Sequence, residues 1–286
     1  MRYCDCIRRL MFKNTSAQYD FIQNLLVIYC KMDPSVIKAY YRQPELVNHE
    51  VWKAENIGLG EAEAKILTRV FNPNNSLLEL GCRAGRIALG LWELDYTKVL
   101  GVDFSREMIK AARRLNKERE AGVCFHVSNT DPLDFEDNLF DGAIWGGNGL
   151  MEIPRRANRR QALSETYRVI RPGSWCVFAT PDRDDPAAQA FWHQEARRWS
   201  RGLQDKRLED YGDLLHETPY GAQYLHVPSQ EEVREDLKTV GFRIEVDVPR
   251  SLIAKASPKK PASAYDYRFW VIQRPDALAA QQMRLA

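Results

Sequence analysis

The stretch Leu77 Leu78 Glu79 Leu80 Gly81 Cys82 Arg83 Ala84 Gly85 Arg86 decides the fold. It starts as a short apolar run of strand type, carries an acidic residue near its end, and passes through glycines into a segment that reads as a helix. Glycine in such a turn lets the backbone approach a ligand, and the amides that open the following helix favour negative charge. About twenty residues further on, a second apolar run ends Gly101 Val102 Asp103 Phe104, which sets a carboxylate at a strand tip. An acid there can accept hydrogen bonds from both ribose hydroxyls of an adenosine.

Outward from this centre, β-rich runs alternate with amphipathic helices. The strands read as 76–80, 98–102, 123–127, 142–145, 174–180, 242–248 and 268–273. Met108, Ala112 and Leu115 share a helix face after Ser105. Ala162, Thr166, Val169 and Ile170 share another, which Pro172 and Gly173 are expected to stop. Ser229 and Glu232 form a capping box, and Gly241 ends the helix that carries Val233, Leu237 and Val240. This alternation predicts an α/β fold, a doubly wound, mostly parallel sheet of seven strands with helices on both faces. The last two strands have no helical connection between them, which suits an antiparallel final strand. Upstream, Asp33 before Pro34, Pro44 to Trp52, and Glu61 to Phe71 read as three helices.

Two segments break the rhythm. Residues 181–228 form an insertion rich in Trp, Tyr, His and charge, with a helix expected over 187–201. Residues 251–267, centred on Pro258 Lys259 Lys260 Pro261, read as an exposed connection. The expected organisation is an N-terminal helical cap over 1–60, a main domain over 61–273 with 181–228 as a substrate cover, and a tail over 274–286.

The ordered series Glu79 to Gly85, Asp103, Asn129 Thr130, Phe135 to Asp141 and Leu163 to Gly173 resembles the class I S-adenosylmethionine (SAM) dependent methyltransferases, over roughly Glu61 to Gln273. That resemblance implies the Rossmann-like methyltransferase fold, SAM as cofactor and methyl transfer as the activity. It also implies that Glu79, Gly81, Cys82, Arg83 and Gly85 surround the methionine portion, and that Asp103 takes the ribose. By the same resemblance Phe104 covers one face of the adenine, Asn129 and Thr130 meet its edge, Trp145 and Asn148 flank the sulfonium, and Met108 is a further cofactor-binding residue. The sequence departs from the pattern twice. Arg83 replaces a glycine and either points away or engages the methionine carboxylate, and Asn129 stands where aspartate is more usual.

A nicotinamide dehydrogenase also presents an adenosine to an acid after its second strand, but the turn here lacks the G-x-G-x-x-G spacing. Formal charge is nearly balanced, with 41 Lys and Arg against 39 Asp and Glu, so no global field draws the protein to nucleic acid or an anionic membrane. The fourth strand ends Trp145 Gly146 Gly147 Asn148, without the Asn/Asp-Pro-Pro-aromatic signature that resembles amino-group methylation of bases or glutamine. A small-molecule acceptor is therefore the expectation, with a nucleic-acid or protein acceptor and a non-catalytic SAM-binding protein as alternatives. Tyr40, Tyr41 and Trp52 of the cap, and His193 and His226 of the insertion, are expected at the acceptor. Asp182 and His216 are further candidates, and no catalytic residue is named.

The six cysteines are scattered, with Cys124 and Cys176 inside apolar runs, which reads as reduced, buried thiols of a cytoplasmic protein. Cys4 and Cys6 have no second ligand pair, so no metal is expected. Arg2, Arg8 and Arg9 precede the apolar stretch 21–29, but Gln23 and Asn24 interrupt it and no small-residue cleavage site follows. It reads as a packed helix or a loosely ordered leader, too short to span a bilayer. Oligomeric state is not encoded legibly.

Overall fold

The fold is described from a computed structural model, which covers residues 32, 34–255 and 266–276. The 21–29 stretch, Cys4, Cys6, Cys30, Asp33, Pro258 to Pro261 and the tail beyond 276 lie outside the described residues.

The chain enters through α1 (Pro34–Tyr40), α2 (Pro44–Asn56) and α3 (Glu61–Val70). It then alternates through β1 (Leu77–Leu80), α4 (Arg86–Trp92), β2 (Val99–Asp103), α5 (Arg106–Glu118), β3 (Cys124–Val127) and β4 (Phe140–Trp145). A 3-10 turn (Gly149–Glu152) leads to α6 (Arg156–Val169) and β5 (Ile170–Pro181). The insertion holds α7 (Gln189–Ser200) and a hairpin of β6 (Asp213–Thr218) and β7 (Gly221–His226). The chain closes with α8 (Gln230–Val240), β8 (Arg243–Pro249), α9 (Arg250–Ile253) and β9 (Tyr267–Gln273).

The seven-stranded sheet runs β3-β2-β1-β4-β5-β9-β8, parallel from β3 to β5, with β9 antiparallel to both its neighbours. β1 is buried at all four positions because helices cover both faces. Leu77 joins Ile66, Leu67, Ile87 and Leu89 on one side, while Leu78 and Leu80 join Leu163, Val233 and Leu237 on the other. β1 and β4 are neighbours, yet the chain departs from them toward opposite edges of the sheet. A crevice opens at their carboxyl ends.

Local chemistry sets the helix ends. Ser105 Oγ accepts from the Met108 amide (3.2 Å) to start α5, and Ser229 Oγ accepts from the Glu232 amide (3.1 Å) to start α8. The expected capping box is only half formed, because the Glu232 carboxylate turns to His226, Arg159 and Arg183 instead. α6 stops at Val169, ahead of the expected Pro172 Gly173 stop, which instead lies inside β5. Proline drives the residue before it toward extended backbone, and Ile170 already pairs with Phe140. Cys124 is exposed, contrary to expectation, because β3 is an edge strand with a solvent face, whereas Cys82 and Cys176 are buried. No described helix is long and apolar enough to cross a membrane.

The β6–β7 hairpin, which the sequence reading left without strands, is pinned at its base by buried polar groups. His226 is fully buried, with Nδ1 2.8 Å from Asp213 Oδ1 and Nε2 2.8 Å from Glu232 Oε1. The Tyr224 hydroxyl donates to the same Asp213 oxygen (2.6 Å). Arg159, 1% exposed, bridges Asp210 and Glu232 (3.3 Å each).

Candidate active site

The glycine turn sits at the C-terminal end of β1. Gly85 caps α4 at φ +83°, and a Cβ there would meet the Phe125 ring at 2.6 Å, so conformation and packing both demand glycine. Gly146, just past β4, lies against the turn: a Cβ would come within 2.8 Å of Glu79 Oε1 and 3.0 Å of the Gly81 carbonyl.

Asp103 ends β2 and is buried. Its Oδ2 accepts from the Arg83 amide (3.0 Å) and its Oδ1 from the Ser105 amide (2.9 Å). Burial outweighs these bonds and lifts the carboxyl to about 6. Each oxygen keeps acceptor capacity beyond its one amide, so the group is short of donors. Glu79 accepts from the Ala88 amide (2.9 Å), and burial raises it to about 8 against the pull of Arg86.

Arg83 occupies the glycine position at φ +51°, a left-handed backbone region uncommon for residues other than glycine. Its guanidinium donates to Glu50 Oε1 of α2 (3.0 Å), Glu152 Oε1 of the 3-10 turn (2.5 Å) and the Tyr41 hydroxyl (3.3 Å). Gln223 of β7 donates to that hydroxyl (3.2 Å) and to Glu152 Oε1 (3.1 Å). Burial alone would raise the Glu50 carboxyl; the charges of Arg83 and Lys53 hold it at about 2. One guanidinium thus ties α2, the cofactor-type turn, the 3-10 turn and, through Tyr41 and Gln223, the hairpin. Sequence reading missed Glu50, Glu152 and Gln223. The available signal was a carboxylate inside an apolar stripe, since Leu46, Glu50 and Ala54 are all buried on one face of α2.

The other expected residues divide. Tyr41 stands edge-on to Phe104 (centroids 5.7 Å), and Met108 is buried with Tyr40, Tyr41 and Leu46. Tyr40 hydrogen-bonds Thr218 of β6 (3.1 Å). Asn129 is exposed and Thr130 half-buried, just past the C-terminal end of β3. Trp145 is buried in the core with its indole donating to Thr166 (3.2 Å), so its side chain faces α6 while its backbone leads into Gly146. Asn148 opens the 3-10 turn. Trp52 is half exposed and stacks on His49 (6.0 Å), which leans on Tyr220 (5.6 Å). His193 is exposed on α7, and both His226 nitrogens are engaged at the hairpin base. Asp182 is buried and paired with Arg268 (2.9 Å). No group of three or more potential metal ligands occurs among the described residues.

Strand order, a crevice at the β1/β4 switch point and an acid at the tip of β2 define the Rossmann-like methyltransferase fold. Residues 77–173 match the model of a family described as a methyltransferase domain. That segment is thus similar to methyltransferase domains. It is 30% identical over 177 residues to the chloroplastic 2-phytyl-1,4-beta-naphthoquinone methyltransferase of Arabidopsis thaliana, covering 60% of this chain and 56% of that protein. It is 25% identical over 213 residues to the O-methyltransferase resE of Aspergillus sclerotiorum, covering 69% and 75%. The chain spans little more than half the length of the plant relative. Among solved structures, a SAM-dependent methyltransferase from Methanosarcina mazei superposes with TM-score 0.61 at 21% identity, over 74% of this chain and 97% of that one.

Proposed function

We propose that the protein transfers the methyl group of SAM to a small aromatic acceptor. The observation that carries this reading is Asp103, a buried carboxylate with one backbone donor on each oxygen and a raised protonation point, which is what a pair of hydroxyl donors would relieve. The residues present fit the rest of the cofactor. Arg83 suits an α-carboxylate, Glu50 and Glu152 suit an α-ammonium, and the Gly146 approach leaves backbone rather than side chain at the turn. When bound, SAM supplies a methyl group on a sulfonium, an electrophile that needs no further activation. Asp103 would hold the ribose, Phe104 one face of the adenine, and Asn129 and Thr130 its edge. Arg83 would exchange part of its pairing with Glu50 and Glu152 for the amino-acid end.

Residues 34–56 and the hairpin would serve as the cover, excluding water and orienting the acceptor. The Tyr40–Thr218 and Gln223–Tyr41 bonds support that assignment, as they join the cap to the insertion directly above Arg83. The relatives' names support a ring acceptor, a naphthoquinone for the plant protein and an oxygen nucleophile for the fungal one. A cytoplasmic location belongs to the same proposal and is supported by the free thiols of Cys82 and Cys176. The test is transfer from methyl-labelled SAM to a panel of naphthols and hydroxyquinones. Labelled product at the ring oxygen or carbon is expected, and label appearing only on added RNA or protein would overturn the small-molecule reading.

A further inference from the structure

Antiparallel neighbours that face each other across a strand pair project to the same side of the ribbon. In the β6–β7 hairpin, Leu214 pairs with Leu225, His216 with Gln223 and Thr218 with Gly221. Leu214 and Leu225 are buried with Leu150 and Met151, beside the 3-10 turn. Gln223 reaches Glu152 and Tyr41, and Thr218 reaches Tyr40. This whole face therefore looks onto the crevice, and His216 lies at its middle, opposite Gln223, which touches two of the three partners of Arg83, Tyr41 and Glu152.

His216 is half-buried and its imidazole makes no hydrogen bond among the described residues, unlike that of His226, whose two nitrogens are both taken. Rings gather at the same mouth, with Tyr40, Tyr220 and His49 on the cap side. We propose that His216 is the general base of the transfer, taking the proton of an aromatic hydroxyl. The proposal rests on the methyltransferase reading above. The acceptor O–H gives its proton to an imidazole nitrogen as the oxygen lone pair forms the O–CH3 bond. The C–S bond breaks with its electron pair left on sulfur, and the imidazolium later returns the proton to water. Burial lowers the imidazole below its ordinary value of 6.5, so it is neutral and able to accept at pH 7. Arg83, Glu50, Glu152, Tyr40, Tyr41, His49, Lys53 and Tyr220 are the ionisable groups nearest this face on the elements that meet it; none of them contributes to the shift, which burial alone causes.

The test uses the full chain saturated with S-adenosylhomocysteine and titrated with 1-naphthol. Ring resonances of His216 should shift saturably. His216→Gln should weaken naphthol binding severalfold at pH 7.5, because the amide oxygen that replaces the imidazole nitrogen is a weaker base held in a different position. Wild-type binding should fall as the imidazole protonates below pH 6.5, and the variant should lack that limb. S-adenosylhomocysteine affinity equal in both proteins shows the cofactor site intact. No naphthol-induced shift at His216, or an unchanged acid limb in His216→Gln, overturns the base assignment. Failure of wild type to bind S-adenosylhomocysteine overturns the methyltransferase reading itself.

Discussion

Protonation of Asp103 should weaken cofactor binding in a calculable way. Its carboxyl sits at about 6 in the free protein, above the usual carboxylate range, because burial outweighs the two amide bonds. The neutral acid offers one fewer acceptor to ribose hydroxyls, so a ligand that needs the ionised form binds fully above pH 6 and progressively less below it. Between pH 8 and pH 5 the ionised fraction falls by about tenfold, equivalent to about 1.4 kcal/mol of binding free energy. Calorimetry with S-adenosylhomocysteine, which has no sulfonium charge, isolates the ribose contact. Glu79, at about 8, titrates well apart from it. Asp103→Asn should bind more weakly at pH 8 by roughly 1.5–3 kcal/mol, one charge-assisted bond, and show no slope below pH 7. Wild-type affinity flat from pH 8 to 5, or an equal slope in the variant, would refute the reasoning.

Other outcomes follow from the buried charges. Arg83→Met leaves Glu152 buried without its cation and Glu50 with Lys53 alone, and should cost about 3–5 kcal/mol in urea unfolding; adding Glu50→Gln and Glu152→Gln should recover most of it, and full additivity would speak against one shared network. The same network makes stability acid-sensitive, because Glu50 is depressed to about 2: its contribution is complete above its unfolded value of 4.5 and lost as pH falls toward 2, and a urea midpoint constant over that window would contradict it. His226→Ala should detach the base of the hairpin, visible as faster hydrogen exchange over residues 213–226 with the sheet amides unchanged. Replacing residues 214–225 by a short glycine-rich turn should abolish transfer while retaining S-adenosylhomocysteine binding; a folded variant with full activity would remove the hairpin from the acceptor site.

The sheet was legible because its centre has no polar alternative. Apart from Glu79 and Asp141, β1 and β4 are apolar on both faces, and the glycine turn, Asp103 and the Ser105 and Ser229 caps are local signals written in a few adjacent residues. The site was legible only where it depends on such local signals. Glu50, Glu152 and Gln223 converge on Arg83 from 33, 69 and, through Glu152, 71 positions away along the chain, and no spacing rule connects them. The hairpin was missed because Leu214, His216 and Thr218 alternate with Leu215, Glu217 and Asp213, a pattern whose two faces are both mixed. His226 drew attention as a histidine beside an aromatic-rich insertion, yet its place at the base of the ribbon gives it to Asp213 and Glu232. Its neighbour in composition, His216, lies on the opposite face of the same strand pair and looks onto the crevice.

The central claim is that SAM binds at the carboxyl ends of β1 and β2, and a crystal structure of the full chain with S-adenosylhomocysteine tests it most directly. Ribose hydroxyls are expected within hydrogen-bond distance of both Asp103 oxygens, with the adenine against Phe104 and the Arg83 guanidinium drawn toward the ligand carboxylate. Ligand bound elsewhere, for instance in the groove between Arg69, Trp175 and Val246, with Asp103 still bonded only to the Arg83 and Ser105 amides, would contradict it.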